Sequence, residues 1–165
     1  RAELLKVLDG GPNISKEEVE RRRILQQQFR ATPPPLYLGL PPEMPKSADE
    51  IPVEGTIQRL VRGVAGAPGS HRGRARVIQS LDEAGSLQDG EILVVRALTP
   101  PWTPYFGIAG AIVTNAGGAM SHGAVVAREF GIPAVVGTGN GTNFIWDGAI
   151  VTVDGTAGVV VIDPQ

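Results

Sequence analysis

From Val53 to the C-terminus the chain is a succession of short β-branched apolar runs cut apart by glycine, and this punctuation restricts the fold more than any other feature. The runs are Ala75–Ile78, Ile92–Val95, Ala111–Thr114, Ala134–Gly137, Ala149–Val153 and Gly158–Ile162. Each is too short to present a helical face and suits a buried strand. Asp89-Gly90 and Asp154-Gly155 supply turns before or between them. Glycine clusters from Gly63 to Gly73 read as punctuation ahead of the first run. Helical signals are few. Asp82–Leu87 is a short candidate weakened by Gly85, and Thr103-Pro104 suits an N-cap and first helical position for Pro104–Ile108. A longer helix is expected over His122–Phe130, stopped by Gly131 and Pro133. Many short strands with one or two helices predict an α/β fold, a compact sandwich around a mostly buried sheet.

Ahead of this region the composition differs. Residues 1–31 read as an N-terminal helical extension, with Ser15 and Glu18 at capping-box spacing and only a partial apolar stripe (Val19, Ile24, Leu25, Phe29). The Arg21-Arg22-Arg23 run suits either a nucleic-acid patch or a solvated helix face, and Glu17, Glu18 and Glu20 beside it favour the second. Residues 32–52 hold Pro33, Pro34, Pro35, Pro41, Pro42, Pro45 and Pro52, which predicts a linker, either a stiff spacer or an ordinary connection. The expected organisation is therefore a helical segment over 1–31, a Pro-rich linker over 32–52 and a domain over 53–165. The chain opens on Arg1 rather than Met, so it is expected to be a piece of a longer protein.

Several function classes are disfavoured at once. A net charge of −2 gives no strong field toward nucleic acid or an acidic membrane. No apolar run reaches the length of a membrane span, no secretory leader is read, and the absence of cysteine fits a cytoplasmic location. Without cysteine there is no thiol nucleophile, and the two histidines, His71 and His122, lack metal-ligand spacing, so no metal site is expected. His71 precedes Arg72-Gly73 in a turn-like stretch and is expected to be exposed, while Trp102 and Trp146 are expected to pack against the sheet.

The chemistry concentrates in Thr114-Asn115-Ala116-Gly117-Gly118-Ala119-Met120-Ser121-His122-Gly123, which reads as strand, glycine loop and helix start. Backbone N–H groups at a helix N-terminus have no intrahelical partner and favour an anion such as phosphate. The same positive end disfavours an imidazolium and leaves a neutral, nucleophilic ring. Gly117 and Gly118 allow close approach to the ring, and Ser121 adds a hydroxyl for phosphate or imidazole. No GxxxxGK[ST] cradle is present, and Gly137-Thr138-Gly139-Asn140-Gly141 fails the dinucleotide fingerprint and reads as a loop between strands. Phosphoryl transfer needs metal ions and cationic clamps around the transferred group. This chain carries a candidate nucleophile without the clamp. Arg128 and Glu129 are readable as phosphate contacts or as a surface ion pair.

Residues 111–137, AIVTNAGGAMSHGAVVAREFGIPAVVG, resemble the phosphohistidine segment of the phosphoenolpyruvate-utilising enzymes. That family includes phosphoenolpyruvate synthase, pyruvate phosphate dikinase, Enzyme I of the sugar phosphotransferase system and rifampicin phosphotransferase. GAPGSHRGRARVI at 66–78, LTPPWTPYF at 98–106 and VDGTAGVV at 153–160 are similar to other segments of the same domain, so the resemblance runs from about Val53 to Ile162. It implies a swivelling β/β/α sandwich in which His122 is the phosphorylated residue and Gly117, Gly118, Ser121 and Gly123 form its loop. Arg128 falls on the family's Ala-Arg-Glu, where a structural role comes first. The family often carries Thr two residues before the histidine, in the dikinase and sugar-transport branches; Met120 stands there, which fits synthase-like or rifampicin-phosphotransferase-like members better.

The implied function is a phosphoryl-carrier domain of a synthase- or dikinase-like phosphotransferase, inactive in isolation. Phosphate would come from ATP on an ATP-grasp domain or from phosphoenolpyruvate on another domain. ATP and magnesium are expected there, with no cofactor bound by this domain, and the acceptor is pyruvate, an antibiotic or another molecule. The rival reading is a non-catalytic module that keeps the swivelling fold.

Overall fold

The computed structural model describes residues 15–31, 49–53 and 56–164. Residues 1–14 and 32–48, which hold most of the expected linker, lie outside that description. Helix α1 (Lys16–Ala31) begins as its sequence predicts: Glu18 N–H donates to Ser15 Oγ at 3.1 Å. The Glu18 carboxylate does not return to Ser15 as a full capping box would require. It accepts from Arg21 and Arg22, and these hydrogen bonds hold its carboxyl down at about 2. Arg23 lies 3.8 Å from Glu20, so the arginine run is a face of local ion pairs.

The remaining elements are β1 (Asp49–Val53), β2 (Thr56–Arg62), β3 (Val64–Ala67), β4 (Ser70–Ile78), β5 (Ile92–Val95), β6 (Ala111–Thr114), α2 (His122–Phe130), β7 (Ala134–Val136), α3 (Gly141–Phe144), β8 (Ile150–Asp154) and β9 (Val159–Ile162). Two 3₁₀ helices occupy Leu81–Ser86 and Pro100–Gly107. The strands follow the order β1-β2-β9-β8-β4-β5-β6-β7-β3. Strand β4 belongs to both halves of that ladder. Its first part pairs antiparallel with β8 (Ser70 opposite Asp154 to Arg74 opposite Ile150), and its second part pairs parallel with β5 (Ala75 opposite Ile92 to Ile78 opposite Val95).

Three layers result. Val151, Val153, Val160 and Ile162 of the antiparallel half meet Ile92, Val94, Val113 and Val135 of the parallel half in one apolar core. The alternate residues Leu93, Val95, Ile112 and Ala134 face a second core with Leu87, Trp102, Phe106 and Ala127 from the helical layer. Strict alternation puts successive side chains on opposite faces, so β5, β6 and β7 are buried on both sides and their sequences are continuously apolar. The expected β/β/α sandwich is the observed architecture. Trp102 packs on the sheet as expected, and Trp146 is half-buried against the inter-sheet core.

Four local readings change. The sheet begins at Asp49, inside the stretch assigned to the linker; β1 is an edge strand, where Pro52 removes no central ladder bond. The Gly63–Gly73 stretch is not mere punctuation but β3 and the start of β4. Glycine is required there by close packing, since a Cβ at Gly66 would lie 2.9 Å from Ala134 O. The Pro104–Ile108 helix instead starts at Pro100 with Thr99 as its N-cap, because Pro100 already supplies the fixed φ of a first position. Finally, the Gly137–Gly141 loop runs into the single turn α3.

Candidate functional site

The parallel strands β5 and β6 end side by side, with Val95 opposite Thr114, and their loops form one cluster at the C-terminal edge of the sheet. Sites in α/β sheets gather at this edge because helices begin there and point N–H groups outward. His122 is the first residue of α2, and its side chain is half-buried. Gly117, Gly118, Ser121 and Gly123 lie on the same loop–helix junction, so the residues singled out by sequence are brought together.

Backbone and side-chain bonds hold the junction. Ala116 N–H donates to Arg96 O at 2.9 Å, and Thr114 Oγ1 donates to Ala116 O at 2.7 Å. The buried Asn115 side chain donates to Thr142 Oγ1 at 2.7 Å and accepts from Thr142 N–H at 2.9 Å, which fastens the loop root to α3. Gly117 takes φ +126°, a conformation open to glycine. Gly123 is buried so closely that a Cβ there would sit 2.9 Å from Leu98 Cδ1. Gly118 has open space where a Cβ would project, so its approach side is free.

Ser121 also has a structural task. It is the N-cap of α2, and its Oγ accepts from Ala124 N–H at 3.4 Å. That contact leaves the hydroxyl proton free to donate. The first-turn N–H groups of His122 and Gly123 remain without intrahelical partners by helix geometry. A recess of about 110 Å³ opens beside them, lined by Leu98, Thr114, Ala116, Gly117, Ser121 and Gly123 among others. It is well below the roughly 300–1,000 Å³ of a cofactor or drug-sized pocket.

Thr103, which local pattern did not assign to the site, reaches it, and Arg128 contacts its loop. Thr103 Oγ1 lies 3.5 Å from His122 Nε2, at the outer limit of a hydrogen bond, and donates to Pro100 O at 2.8 Å. Because that proton is committed to Pro100, the Thr103 oxygen faces the ring as an acceptor. A hydroxyl thus stands near the imidazole although Met120, 84% exposed, brings none. Arg128 donates to Ala119 O on the glycine loop rather than pairing with Glu129. No sequence spacing marks Thr103, which sits 19 residues before the histidine.

His71 departs from its expected place. It lies on β4 opposite Val153, half-buried, with Nε2 donating to Gly90 O at 2.9 Å. Glycine makes the room: a Cβ at Gly110 would come within 2.2 Å of that nitrogen. Its role is to join β4 to the turn before β5. A second polar cluster, also structural, joins Arg76 to Glu91 through two bonds of 2.9 and 2.8 Å, with Asp147 3.2 Å from the same guanidinium. The Arg76 bonds chiefly, with the Gln88 N–H adding to them, hold the Glu91 carboxyl below its ordinary range against the opposing effect of burial. Among the described residues no group of three or more His, Asp or Glu is placed to hold a metal ion, and no helix is long and apolar enough to cross a membrane.

Known proteins share much of this sequence. The chain is 48% identical over 117 residues to phosphoenolpyruvate synthase of Aeropyrum pernix, covering 70% of this chain and 14% of that protein. It is 42% identical over 133 residues to rifampicin phosphotransferase of Bacillus cereus, covering 77% of this chain and 15% of that one. With chondramide synthase of Chondromyces crocatus it shares 44% identity over 147 residues, 82% of this chain and 4% of the relative. The chain therefore spans only a small part of each of these relatives. Residues 87–158, which include the whole glycine loop and α2, match the family model of the PEP-utilising enzyme mobile domain. Over this segment the chain carries a PEP-utilising enzyme mobile domain.

Proposed function

We propose that this chain is the phosphoryl-carrier domain of a phosphoenolpyruvate synthase- or dikinase-like phosphotransferase, and that His122 is the residue phosphorylated. The observation that carries the reading is the placement of a half-exposed histidine at the first position of α2, on a loop fastened to both neighbouring elements. A lone pair on a ring nitrogen attacks the phosphorus, an N–P bond forms, and the P–O bond to the leaving group breaks. The leaving group is ADP-type or the enolate of pyruvate, according to the donor. The unpaired N–H groups of the first turn and the Ser121 hydroxyl proton then face the new phosphoryl oxygens.

The chain supplies the nucleophile and its setting. Metal ions and cationic clamps belong to other domains, so ATP with magnesium, on an ATP-grasp domain, and phosphoenolpyruvate are the donors in this reading. The domain moves between donor and acceptor sites, as covalent delivery over a distance requires. An antibiotic of the rifampicin type stands beside pyruvate as a second acceptor class, because Met120, at the position where the dikinase and sugar-transport branches often carry Thr, fits synthase-like and rifampicin-phosphotransferase-like members alike.

The test uses the full-length parent protein with phosphorus-labelled ATP or phosphoenolpyruvate, and this chain alone in parallel. Label should enter the parent protein as an acid-labile, base-stable species, while the isolated chain should neither hydrolyse ATP nor consume phosphoenolpyruvate above background. Turnover by the isolated chain that is lost in His122→Ala would place the catalytic apparatus here and overturn the carrier reading.

A further inference from the structure

The loop before His122 is fastened at its two ends and projects in between. Its root is tied through Ala116 and Asn115, and its exit is the N-cap Ser121. At the tip, Gly118 is half-buried, and Ala119 and Met120 stand out into solvent. Gly118 O accepts from Ser121 N–H at 2.9 Å, a bond inside the loop. Among the described residues, the one side chain outside the loop that holds the tip is Arg128, whose guanidinium donates to Ala119 O.

Arg128 lies in the last turn of α2, where a cation ordinarily favours the C-terminal carbonyls. Helical side chains lean toward the N-terminus, and this one follows that direction back to the loop that opens the helix. Gly131, left-handed at φ +69°, caps the C-terminus through its own N–H, which bonds to Ala127 O and Arg128 O. The helix end is thus closed without the arginine, and the guanidinium is left to the loop.

We infer that Arg128 is a positioning residue for His122, an assignment that rests on the phosphoacceptor reading above. By holding Ala119 O it fixes the peptide two residues before the N-cap, and so the direction in which Ser121 and the His122 ring enter the helix. Arg128 does not touch the reacting atoms. Its effect passes through the loop.

The experiment uses this chain with potassium phosphoramidate, a small donor from which a ring nitrogen displaces ammonia, forming N–P as the donor's P–N bond breaks. The rate of His122 phosphorylation is compared in wild type, Arg128→Met and Arg128→Lys. Amide hydrogen exchange at Ser121 and at Ile112, whose N–H bonds Pro133 O in the core, is followed in the same samples. Arg128→Met should slow phosphorylation about tenfold, the worth of one charge-assisted hydrogen bond, and speed exchange at Ser121 by a similar factor. Ile112 should be unaffected, and Arg128→Lys, which keeps one charged donor, should recover most of the rate. Equal rates and equal Ser121 exchange in wild type and Arg128→Met would overturn the inference, as would a loss shared with Ile112. If wild-type His122 takes no phosphate, the phosphoacceptor reading fails separately, and Ser121 exchange still decides whether Arg128 holds the loop.

Discussion

Replacing Gly137 with alanine joins two costs at one position and carries them directly into the glycine loop. Gly137 has φ +65°, where an L-residue loses about 1–2 kcal/mol. The new Cβ would also lie 2.4 Å from Gly117 O, a backbone atom that cannot rotate away. Relieving that overlap requires a backbone shift of the kind that costs about 1–3 kcal/mol in tight packing. The sum is about 3 kcal/mol, which for a domain of this size lowers the unfolding midpoint by roughly 10 °C. The shift falls on Gly117, so His122 phosphorylation should slow even well below that midpoint. Gly118→Ala is the matched control. Its Cβ meets nothing within 4 Å, and its stability should change by less than about 0.5 kcal/mol. Circular dichroism during heating gives the first readout, and labelling of His122 at 20 °C below the midpoint gives the second. A Gly137→Ala midpoint within about 2 °C of wild type would refute the packing argument, because neither cost could then be present at its expected size.

Two further outcomes follow from the neighbouring chemistry. Glu91 has a folded-state pKa held below its unfolded value, so its contribution to stability is full above about pH 4.3 and is lost as pH falls through the lower folded value. Urea unfolding of Glu91→Gln should therefore show a flatter fall in stability below about pH 4.3 than wild type, and identical slopes would contradict the assignment. Thr103→Val removes the oxygen 3.5 Å from the His122 ring and the bond to Pro100 O, and should cost about 1 kcal/mol in stability and slow phosphorylation several-fold; Thr103→Ser should preserve both, and equal rates in all three proteins would remove Thr103 from the site.

The parts of this fold that were legible are those with local causes. Strands β5, β6 and β7 are buried on both faces and therefore read as unbroken apolar runs. Helix α2 was legible at its C-terminal stop, where Gly131 has a local mechanism, whereas the N-cap role of Ser121 emerges only in the fold. Strand β4 was half hidden because its first residues, Ser70-His71-Arg72-Gly73-Arg74, alternate between solvent and tight contacts that glycine permits, and such a pattern imitates a turn. His71 was misplaced for the same reason. The site shows the same division. His122 and its glycines are contiguous in sequence and were legible, whereas Thr103 approaches the ring across a layer of packing that no spacing reveals. Arg128 was visible as a residue, but the target of its guanidinium, nine positions earlier on the loop, depends on the path of the folded loop.

Locating the phosphoryl group at residue level tests the central claim most directly. The full-length parent protein is phosphorylated by its own donor, digested under alkaline conditions that preserve phosphohistidine, and the modified peptide is identified by mass spectrometry. The account predicts a single phosphorylated histidine, His122, with the modification lost in His122→Ala and retained in His71→Ala. Phosphate that persists in His122→Ala, or that maps to His71, would contradict it.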